Sequence, residues 1–154
     1  MTVSIVLGSA SDEPVLKRIT TVLDELEVPY KVTVASAHRT PDRVRTLAGD
    51  ENVDVFIAVA GLSAALPGVV AAHTNKPVIG VPVSGKVNLD SILSIVQMPK
   101  GVPVAAVGLD RGDNAAILAA EMIALKDDSL AERLIKKRED MAQDVLKQSE
   151  SVQG

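Results

Sequence analysis

The sequence predicts an α/β fold in which a parallel sheet is covered by helices on both faces. Short runs of Val, Ile, Leu and Ala alternate along the chain with longer segments whose apolar residues recur at helical spacing. The core must be aliphatic, because the 154 residues include one Phe, one Tyr and no Trp although 47% are hydrophobic. Such side chains are typical of parallel strands buried on both faces.

Five apolar runs are predicted to be strands. The first stops at Gly8, and the second follows Pro29. The first and third runs are continuously apolar or nearly so, which predicts burial on both faces of the sheet. The predicted strands are residues 3–7, 30–35, 53–60, 77–83 and 102–107.

The segments between the strands are predicted to be helices. Pro14 and Pro41 each suit the first turn of a helix, where a missing N–H costs nothing. A turn with a helix cap is predicted at residues 111–114, and Ser129 is the predicted cap of the last helix, beyond which residues from Ser149 should fray. The predicted helices are residues 14–27, 41–48, 69–73, 89–96 (with Ile92, Leu93 and Val96 on one face), 115–125 and about 129–147.

Right-handed crossovers limit this alternation to a doubly wound topology. We expect a three-layer αβα sandwich with the flavodoxin-like strand order, which switches direction between the first and third strands. The chain is predicted to be one domain over residues 1–154, with its core in residues 3–125 and an extra long helix at about 129–147. The Ala-rich fifth helix and the charged last helix carry more apolar surface than one sheet can cover, which predicts a homo-oligomer with Ala119 and Ala120 at an interface.

Composition excludes several classes of function. With 16 Lys plus Arg against 20 Asp plus Glu, the net charge of −4 argues against a nucleic-acid partner. The absence of Cys excludes thiolate catalysis and thiolate metal sites, and two His make a His-rich metal site unexpected. Residues 1–5 lack the basic region of a signal peptide, and no apolar run reaches ~18 residues, so we expect no membrane partner and a cytoplasmic location.

Polar residues follow each of the first three predicted strands, in the loops 8–12, 36–40 and 61–68. The carboxyl edge of a doubly wound sheet brings such loops together at the switch point, where ligands bind. His38 can move a proton near neutral pH, and the Arg39 guanidinium can grip a phosphate or carboxylate. The third loop offers small residues whose backbone can approach a ligand closely.

The first loop runs into a helix N-terminus, which favours an anion. It lacks the Lys of a P-loop and the glycine spacing of a dinucleotide site, so neither ATP hydrolysis nor NAD binding is supported. A structural alternative stays open, in which Ser11 and Asp12 merely cap the first helix and Thr40 caps the second.

Ordered blocks across residues 3–125 resemble the 5-aminoimidazole ribonucleotide carboxylase (PurE) family of purine biosynthesis. Several blocks in the same order are far more specific than one short motif. They are Gly-Ser-x-Ser-Asp at 8–12, Ser-Ala-His-Arg-Thr-Pro at 36–41, Ala-Gly at 60–61, Leu-Pro-Gly at 66–68, Pro-Val-Ile-Gly-Val-Pro-Val at 77–83, Leu-Asp-Ser at 89–91, Ser-Ile-Val-Gln-Met-Pro-x-Gly-Val-Pro-Val at 94–104 and Asn-Ala-Ala at 114–116.

The resemblance implies an octameric, flavodoxin-like enzyme that needs no cofactor and no metal. Such enzymes convert N5-carboxyaminoimidazole ribonucleotide to 4-carboxy-5-aminoimidazole ribonucleotide, or add carbon dioxide directly to aminoimidazole ribonucleotide. His38 falls on the catalytic position, and Ser9, Asp12 and Arg39 fall on nucleotide-binding positions. The candidate substrate-binding residues are Ser9, Ser11, Asp12, Ser36, Arg39, Gly61, Leu62, Ser63 and Leu66.

The chain departs from the family pattern at residues 61–68. The common mutase has Gly-Gly-Ala-Ala-His-Leu-Pro-Gly, whereas this chain has Gly-Leu-Ser-Ala-Ala-Leu-Pro-Gly, with Ala65 in place of the second histidine. The direct carboxylases share Gly-Leu-Ser and lack that histidine, but they usually carry Asn at position 64 and Arg-Met-Pro at 97–99. The sequence favours the mutase, with direct carboxylation and a non-catalytic nucleotide-binding module as alternatives. His73 is expected to pack or to face solvent.

Overall fold

A computed structural model describes residues 1–153, with side chains through Val152. Five strands form one parallel sheet in the order β2-β1-β3-β4-β5. This order is the predicted flavodoxin-like one, and its switch point lies at β1 and β3. The strands are β1 (Val3–Leu7), β2 (Tyr30–Val34), β3 (Val55–Ala60), β4 (Val78–Pro82) and β5 (Ala105–Ala106).

Helices cover both faces of the sheet, as the sequence predicts. One buried cluster joins the sheet to α1 and α5, and a second joins it to α2, α3 and α4. None of the helices in residues 1–153 is both long and apolar enough to cross a membrane. The helices are α1 (Glu13–Glu25), α2 (Pro41–Ala48), α3 (Leu66–Ala71), α4 (Asn88–Val96), α5 (Gly112–Ala124) and α6 (Asp128–Gln153).

The strand register places three loops at one edge. In β1, Leu7 lies opposite Val34 of β2 on one side and Val59 of β3 on the other. All three strands run in the same direction, so the segments that follow them leave the sheet side by side. The switch point is therefore bordered by the three loops that the sequence identifies as polar or small.

Two strands differ from their predictions. β5 pairs with β4 only through Ala105 and Ala106, because Pro103 has no N–H to donate to a ladder. β2 lies at the edge of the sheet, so Val32 and Val34 are 42% and 47% exposed rather than buried on both faces.

The inward face of α4 also differs from its prediction. Ile95 and Ser91 point into the core and are fully or almost fully buried. Leu93 and Val96, predicted to share the apolar face with Ile92, are instead 45% and 48% exposed. The helix has apolar residues on both sides, so its sequence does not identify the side that packs against the sheet.

The last two helices begin differently from their predictions. Residues from Gly112 onward are helical, so the predicted turn at 111–114 is the first turn of α5. Asp127 caps α6, since its Oδ1 accepts the Leu130 N–H at 3.0 Å and the Ser129 hydroxyl at 2.7 Å. Ser129 is therefore not the cap, and α6 continues through Ser149 to Gln153 instead of fraying.

The alanine side of α5 packs inside the subunit. Ala119 and Ala120 have no exposed surface and belong to the cluster that joins α5 to α1 and the sheet. The expectation that these two residues mark a subunit interface is therefore wrong. Small side chains at these positions instead allow α1 and α5 to approach each other closely.

Replacement of Gly112 by Ala should destabilise this helix pair. A Cβ at Gly112 would lie 2.6 Å from the Val15 carbonyl oxygen and 2.8 Å from Ile19 Cγ1. Because the backbone of α1 must shift, we expect the free energy of unfolding of Gly112→Ala to fall by about 1–3 kcal/mol in urea denaturation. Gly49→Ala is the control, since its added Cβ would meet no atom nearer than 3.6 Å. Equal denaturation midpoints for the two variants would contradict this packing argument.

Candidate active site at the carboxyl edge of the sheet

A cavity of about 410 Å³ lies where β1, β2 and β3 end. Its walls bring together nine of the ten predicted site residues, namely Ser9, Ser11, Asp12, Ser36, His38, Arg39, Gly61, Leu62 and Leu66. The remaining wall residues, which sequence reasoning did not select, are Gly8, Ala37, Ala60, Ala64 and Ala65.

Two residues discussed from the sequence lie elsewhere. Ser63 does not line this cavity but faces an adjoining one of about 480 Å³, which it shares with Leu62 and with Leu93 of α4. His73 is exposed and follows α3, where it lines a cleft with Pro77 and Val78 at the amino end of β4. His38 is thus the histidine among residues 1–153 that lines the cavity.

The first loop is a capping box. The Ser9 N–H donates to Asp12 Oδ2 at 3.0 Å, and the Ser11 N–H donates to Ser9 Oγ at 3.3 Å. The alternative in which Ser11 and Asp12 cap α1 is therefore wrong, because Asp12 makes no side-chain capping bond to that helix and instead accepts the Ser9 N–H of the turn before it. The sequence predicted that backbone N–H groups of this turn would bind an anion. The Asp12 carboxylate already accepts the Ser9 N–H, so that N–H is not available to a ligand. What remains for a ligand is the hydroxyl pair of Ser9 and Ser11, whose oxygens lie 2.9 Å apart.

Asp12 is a buried carboxyl in the wall of the cavity, with 6% of its surface exposed. Burial raises the pKa of Asp12 above its ordinary value of 3.8, although the Ser9 N–H and the Ser11 side chain oppose the shift by hydrogen bonding. Its ionised form is thus less favourable in the folded protein than in water. A ligand that donates a hydrogen bond to this carboxylate would relieve that cost.

Asp12→Asn should therefore stabilise the protein at neutral pH. A raised pKa means that ionised Asp12 costs stability above that pKa, and the cost disappears as the pH falls through it. The amide oxygen of Asn can still accept the Ser9 N–H. We expect the melting temperature of the variant to exceed that of the parent at pH 7, with a gap that narrows towards pH ~3.5.

Asp127→Asn is the matched control, with the opposite sign. Hydrogen bonds from the Ser129 hydroxyl and the Leu130 N–H lower the pKa of Asp127. Its stabilisation is present at neutral pH and is lost as the pH falls through the lowered pKa. This variant should melt below the parent at pH 7, and the difference should shrink in acid. Gaps of the same sign for both variants would contradict the assignment for Asp12.

The second loop is held closed by its own side chains. The Thr40 hydroxyl oxygen accepts the Ser36 N–H at 2.9 Å and lies 3.2 Å from the Ser36 carbonyl oxygen, to which it donates. Thr40 makes no side-chain capping bond to α2, so the alternative in which it is a simple helix cap is wrong. The turn between Ser36 and Thr40 presents His38 at its tip, where the imidazole is exposed at the cavity.

Arg39 joins the first two loops. Its Nε donates to Ser36 Oγ at 3.3 Å, and its Nη2 donates to the Gly8 carbonyl oxygen at 3.2 Å. These bonds fix the plane of the guanidinium against the ends of β1 and β2 while the residue stays exposed. The side chain is therefore oriented before any ligand arrives, which lowers the entropic cost of gripping an anion.

The third loop has an unusual backbone. Ser63 and Ala64 adopt left-handed conformations, with φ of 63° and 28°, and the Ala64 N–H donates to the Gly61 carbonyl oxygen at 3.1 Å. Non-glycine residues in such conformations cost roughly 1–3 kcal/mol each and cluster at ligand sites. The turn places Leu62 at its tip, 95% exposed, and turns the small side chain of Ala65 towards the cavity.

The cavity combines groups of different chemistry around a volume that suits a small molecule. A histidine can carry a proton, an oriented guanidinium can bind a phosphate, and a buried carboxylate with two hydroxyls can bind sugar or amino groups. In the part of the chain that the structure describes, no three His, Cys, Asp or Glu side chains converge as they would around a metal ion.

Comparisons with known proteins agree with one another. The family model described as AIR carboxylase matches residues 2–144. The chain is 52% identical over 151 residues to a protein of Methanocaldococcus jannaschii named N5-carboxyaminoimidazole ribonucleotide mutase, covering 97% of this chain and 96% of that protein. A Bacillus subtilis protein of the same name is 46% identical, with 97% of each chain covered. The crystal structure of Treponema denticola PurE superposes with a TM-score of 0.89 at 28% identity and covers 99% of each chain.

Proposed function

The chain belongs to the AIR carboxylase family, and we propose that it is a mutase of purine biosynthesis. Its substrate is N5-carboxyaminoimidazole ribonucleotide and its product is 4-carboxy-5-aminoimidazole ribonucleotide. The observation that carries the proposal is the convergence of His38, Arg39 and Asp12 on one cavity, in a chain about half identical to proteins named for this reaction.

The reaction needs one group that both gives and takes a proton. The N5–carboxyl bond breaks, its electron pair stays on nitrogen, and a proton is delivered there. The ring carbon C4 then attacks the released carbon dioxide, and the C4 proton must leave to restore the aromatic ring. We assign both transfers to His38, because an imidazole is poised near neutral pH and lies exposed at the cavity.

The remaining polar groups bind the ribonucleotide. Arg39 is assigned to the 5′-phosphate, together with the hydroxyls of Ser9 and Ser11. Asp12 is assigned to the ribose hydroxyls or to the amino group, since a desolvated carboxylate gains most from such donors. Ser36 is assigned to positioning Arg39, because its Oγ accepts hydrogen bonds from both the backbone N–H and the Nε of that residue. No cofactor and no metal is required by this scheme.

Carbon dioxide must be held beside C4 until the new bond forms, which requires a closed site. The cavity of a single subunit opens past the exposed Leu62 towards α4. Leu89, Leu93 and Val96 expose apolar surface on that helix, so a neighbouring copy seated there would close the site. We infer a homo-oligomer whose subunits complete one another's sites.

The size we propose is an octamer. Exposed apolar residues lie on separate elements of one subunit, Val32 and Val34 on β2 and Leu93 and Val96 on α4. Two distinct faces suit an assembly with more than one kind of interface, as dihedral symmetry requires. The proposed compartment is the cytoplasm, and the acidic net charge of −4 argues against nucleic acid as a partner.

Direct carboxylation by carbon dioxide is the alternative that the sequence left open at Ala65, and the relatives named as mutases do not favour it. One assay separates the two. Purified protein is given the N5-carboxylated ribonucleotide in buffer purged of carbon dioxide, or aminoimidazole ribonucleotide with bicarbonate and carbon dioxide, and product is followed by absorbance. The mutase predicts turnover of the first substrate alone at rates well above the uncatalysed reaction. Turnover only of the second would establish the carboxylase, and binding without turnover would indicate a non-catalytic module.

A further inference from the structure

The helix α3 carries part of the active-site wall but is too short to hold its own position. It has six residues, and no side chain caps its amino end. Isolated helices of this length are unstable in water, so packing must fix its place. Ala64, Ala65 and Leu66, where the third loop enters the helix, line the cavity. A Cβ added at Gly8 would lie 3.9 Å from Leu66 Cδ2 and 3.8 Å from Asp12 Oδ2, so Leu66 also lies close to the first loop.

The loop that leads into α3 has a strained backbone. Ser63 and Ala64 both have positive φ angles, which residues with a Cβ rarely adopt. The hydrogen bond from the Ala64 N–H to the Gly61 carbonyl oxygen closes this turn. Strain of this kind persists only where the surrounding structure over-determines the conformation. The contacts that hold α3 in place must therefore also hold the turn before it.

One side of α3 rests against the sheet at Gly80 of β4. A Cβ added at that glycine would lie 3.2 Å from Pro67 Cβ, 3.2 Å from Val104 Cγ1 and 2.5 Å from Ile95 Cγ2. Because Gly80 has no side chain, Pro67 can come this close to the strand. Pro67 and Ile95 are both buried, so this side of the helix is fixed by the core.

A second side of α3 is covered by Met98, which follows α4. A Cβ added at Gly68 would lie 3.3 Å from Met98 Sδ and 3.5 Å from its Cε, so the thioether lies directly on the helix. The Met98 N–H donates to the Val96 carbonyl oxygen at 3.0 Å, which holds the backbone at this point. Met98 is half-buried and does not line the cavity. Within the subunit, its contact with the active-site wall is therefore indirect and passes through α3.

We propose that Met98 is a positioning residue of the active site. Its thioether holds α3 against the sheet, and α3 in turn holds the strained turn at Ser63 and Ala64 that shapes the cavity wall. A methionine suits this contact, because its unbranched, polarisable side chain fills the irregular space over a glycine. The kinetic consequence of the contact rests on the proposed mutase function, whereas the contact itself does not.

Met98→Ala is expected to loosen the third loop. In hydrogen–deuterium exchange without substrate, the peptide covering residues 61–66 should exchange faster than in the parent, while β1 should exchange as before. The kcat for the N5-carboxylated ribonucleotide should fall about 10- to 100-fold, because a small misplacement within a site is enough for such a loss. The KM should change little, since the polar groups assigned to the ribonucleotide lie on the first two loops.

Two matched variants separate a positioning role from a general loss of packing. Met98→Leu nearly conserves the volume of the side chain and should keep both the slow exchange and the kcat of the parent. Met122→Ala removes another half-buried methionine, which lies on α5 and lines the cleft at the amino end of β4 rather than the active site. This variant should lower the melting temperature but leave the exchange of residues 61–66 and the kcat unchanged.

Three results would overturn the proposal. Unchanged exchange of residues 61–66 in Met98→Ala would show that the thioether does not hold the loop. Equal acceleration in all peptides, β1 included, would reduce Met98 to a general contribution to stability. Faster exchange of the loop with an unchanged kcat would mean that the loop does not position the site. A parent without turnover would instead contradict the proposed mutase, and the exchange results would still decide the contact.

Discussion

His38→Asn is expected to lower kcat by about two to four orders of magnitude, the usual contribution of a positioned acid–base group. Asn keeps a polar side chain of similar reach but cannot exchange a proton near neutral pH. The imidazole is exposed at the tip of a turn that Thr40 and Ser36 hold by hydrogen bonds, so its replacement should not disturb the loop. Steady-state turnover of the N5-carboxylated ribonucleotide measures the effect.

Two further measurements distinguish a chemical role for His38 from a structural one. Calorimetric binding of the ribonucleotide product should be almost unchanged, because the phosphate is assigned to Arg39 and not to His38. The far-ultraviolet circular dichroism of the variant should match that of the parent, because the turn is held by Ser36 and Thr40 and not by His38. Near-normal turnover, or a loss of binding equal to the loss of turnover, would remove His38 from the chemistry.

The fold followed from the sequence where burial follows a simple pattern. Nearly continuous apolar runs predicted β1, β3 and β4, because these central strands are buried on both faces. The same reasoning failed at the edges. Residues 30–34 do carry a local signal, because Lys31 and Thr33 alternate with the apolar residues as in a partly exposed edge strand, and the prediction overlooked it.

The long helix illustrates a limit of capping signals. Ser129 is a good N-cap residue type, but Asp127 lies two residues earlier and accepts the Leu130 N–H with a charged oxygen. The sequence offers both, and tertiary position decides between them. The length of α6 was likewise underestimated, because residues 148–153 contain a single apolar residue, Val152, and so show no helical periodicity.

The sequence predicted most of the charged and polar residues of the candidate site but not the shape of the cavity. Residues at strand ends had to meet at the switch point, which explains why His38, Arg39 and Asp12 share a cavity. The left-handed turn at Ser63 and Ala64 carries no such signal, since neither residue type favours φ above zero. That turn directs Ser63 away from the cavity and Ala65 towards it, which no local pattern could predict.

The sequence also did not show which apolar residues are exposed on the subunit and are thus available for assembly. A charge at Ala119 should prevent folding rather than dissociate an oligomer, because the residue is fully buried among α1, α5 and the sheet. The apolar surface that needs a partner lies instead on β2, α4 and the second half of α6. The expected oligomer therefore stands on exposed aliphatic residues and not on the alanine helix that suggested it.

Arg39→Leu is expected to weaken ribonucleotide binding by ~1.5–3 kcal/mol, the usual contribution of a charge-assisted hydrogen bond. That corresponds to a dissociation constant about 10- to 150-fold higher. Leu keeps much of the aliphatic stem but removes the guanidinium whose Nη2 contacts the Gly8 carbonyl oxygen and whose Nε contacts Ser36 Oγ. Isothermal titration calorimetry with the product measures the constant.

Part of this loss could come from a loosened loop rather than from the missing charge, and two variants separate the contributions. Arg39→Lys keeps the positive charge but loses the planar fork, so its binding should fall between those of the parent and Arg39→Leu. Arg45→Leu removes an exposed arginine of α2 that pairs only locally with Asp42, and it should bind like the parent. The salt dependence is decisive, because raising the ionic strength should weaken binding to the parent more than to Arg39→Leu if the guanidinium meets the phosphate. An unchanged dissociation constant for Arg39→Leu would place the phosphate elsewhere in the cavity.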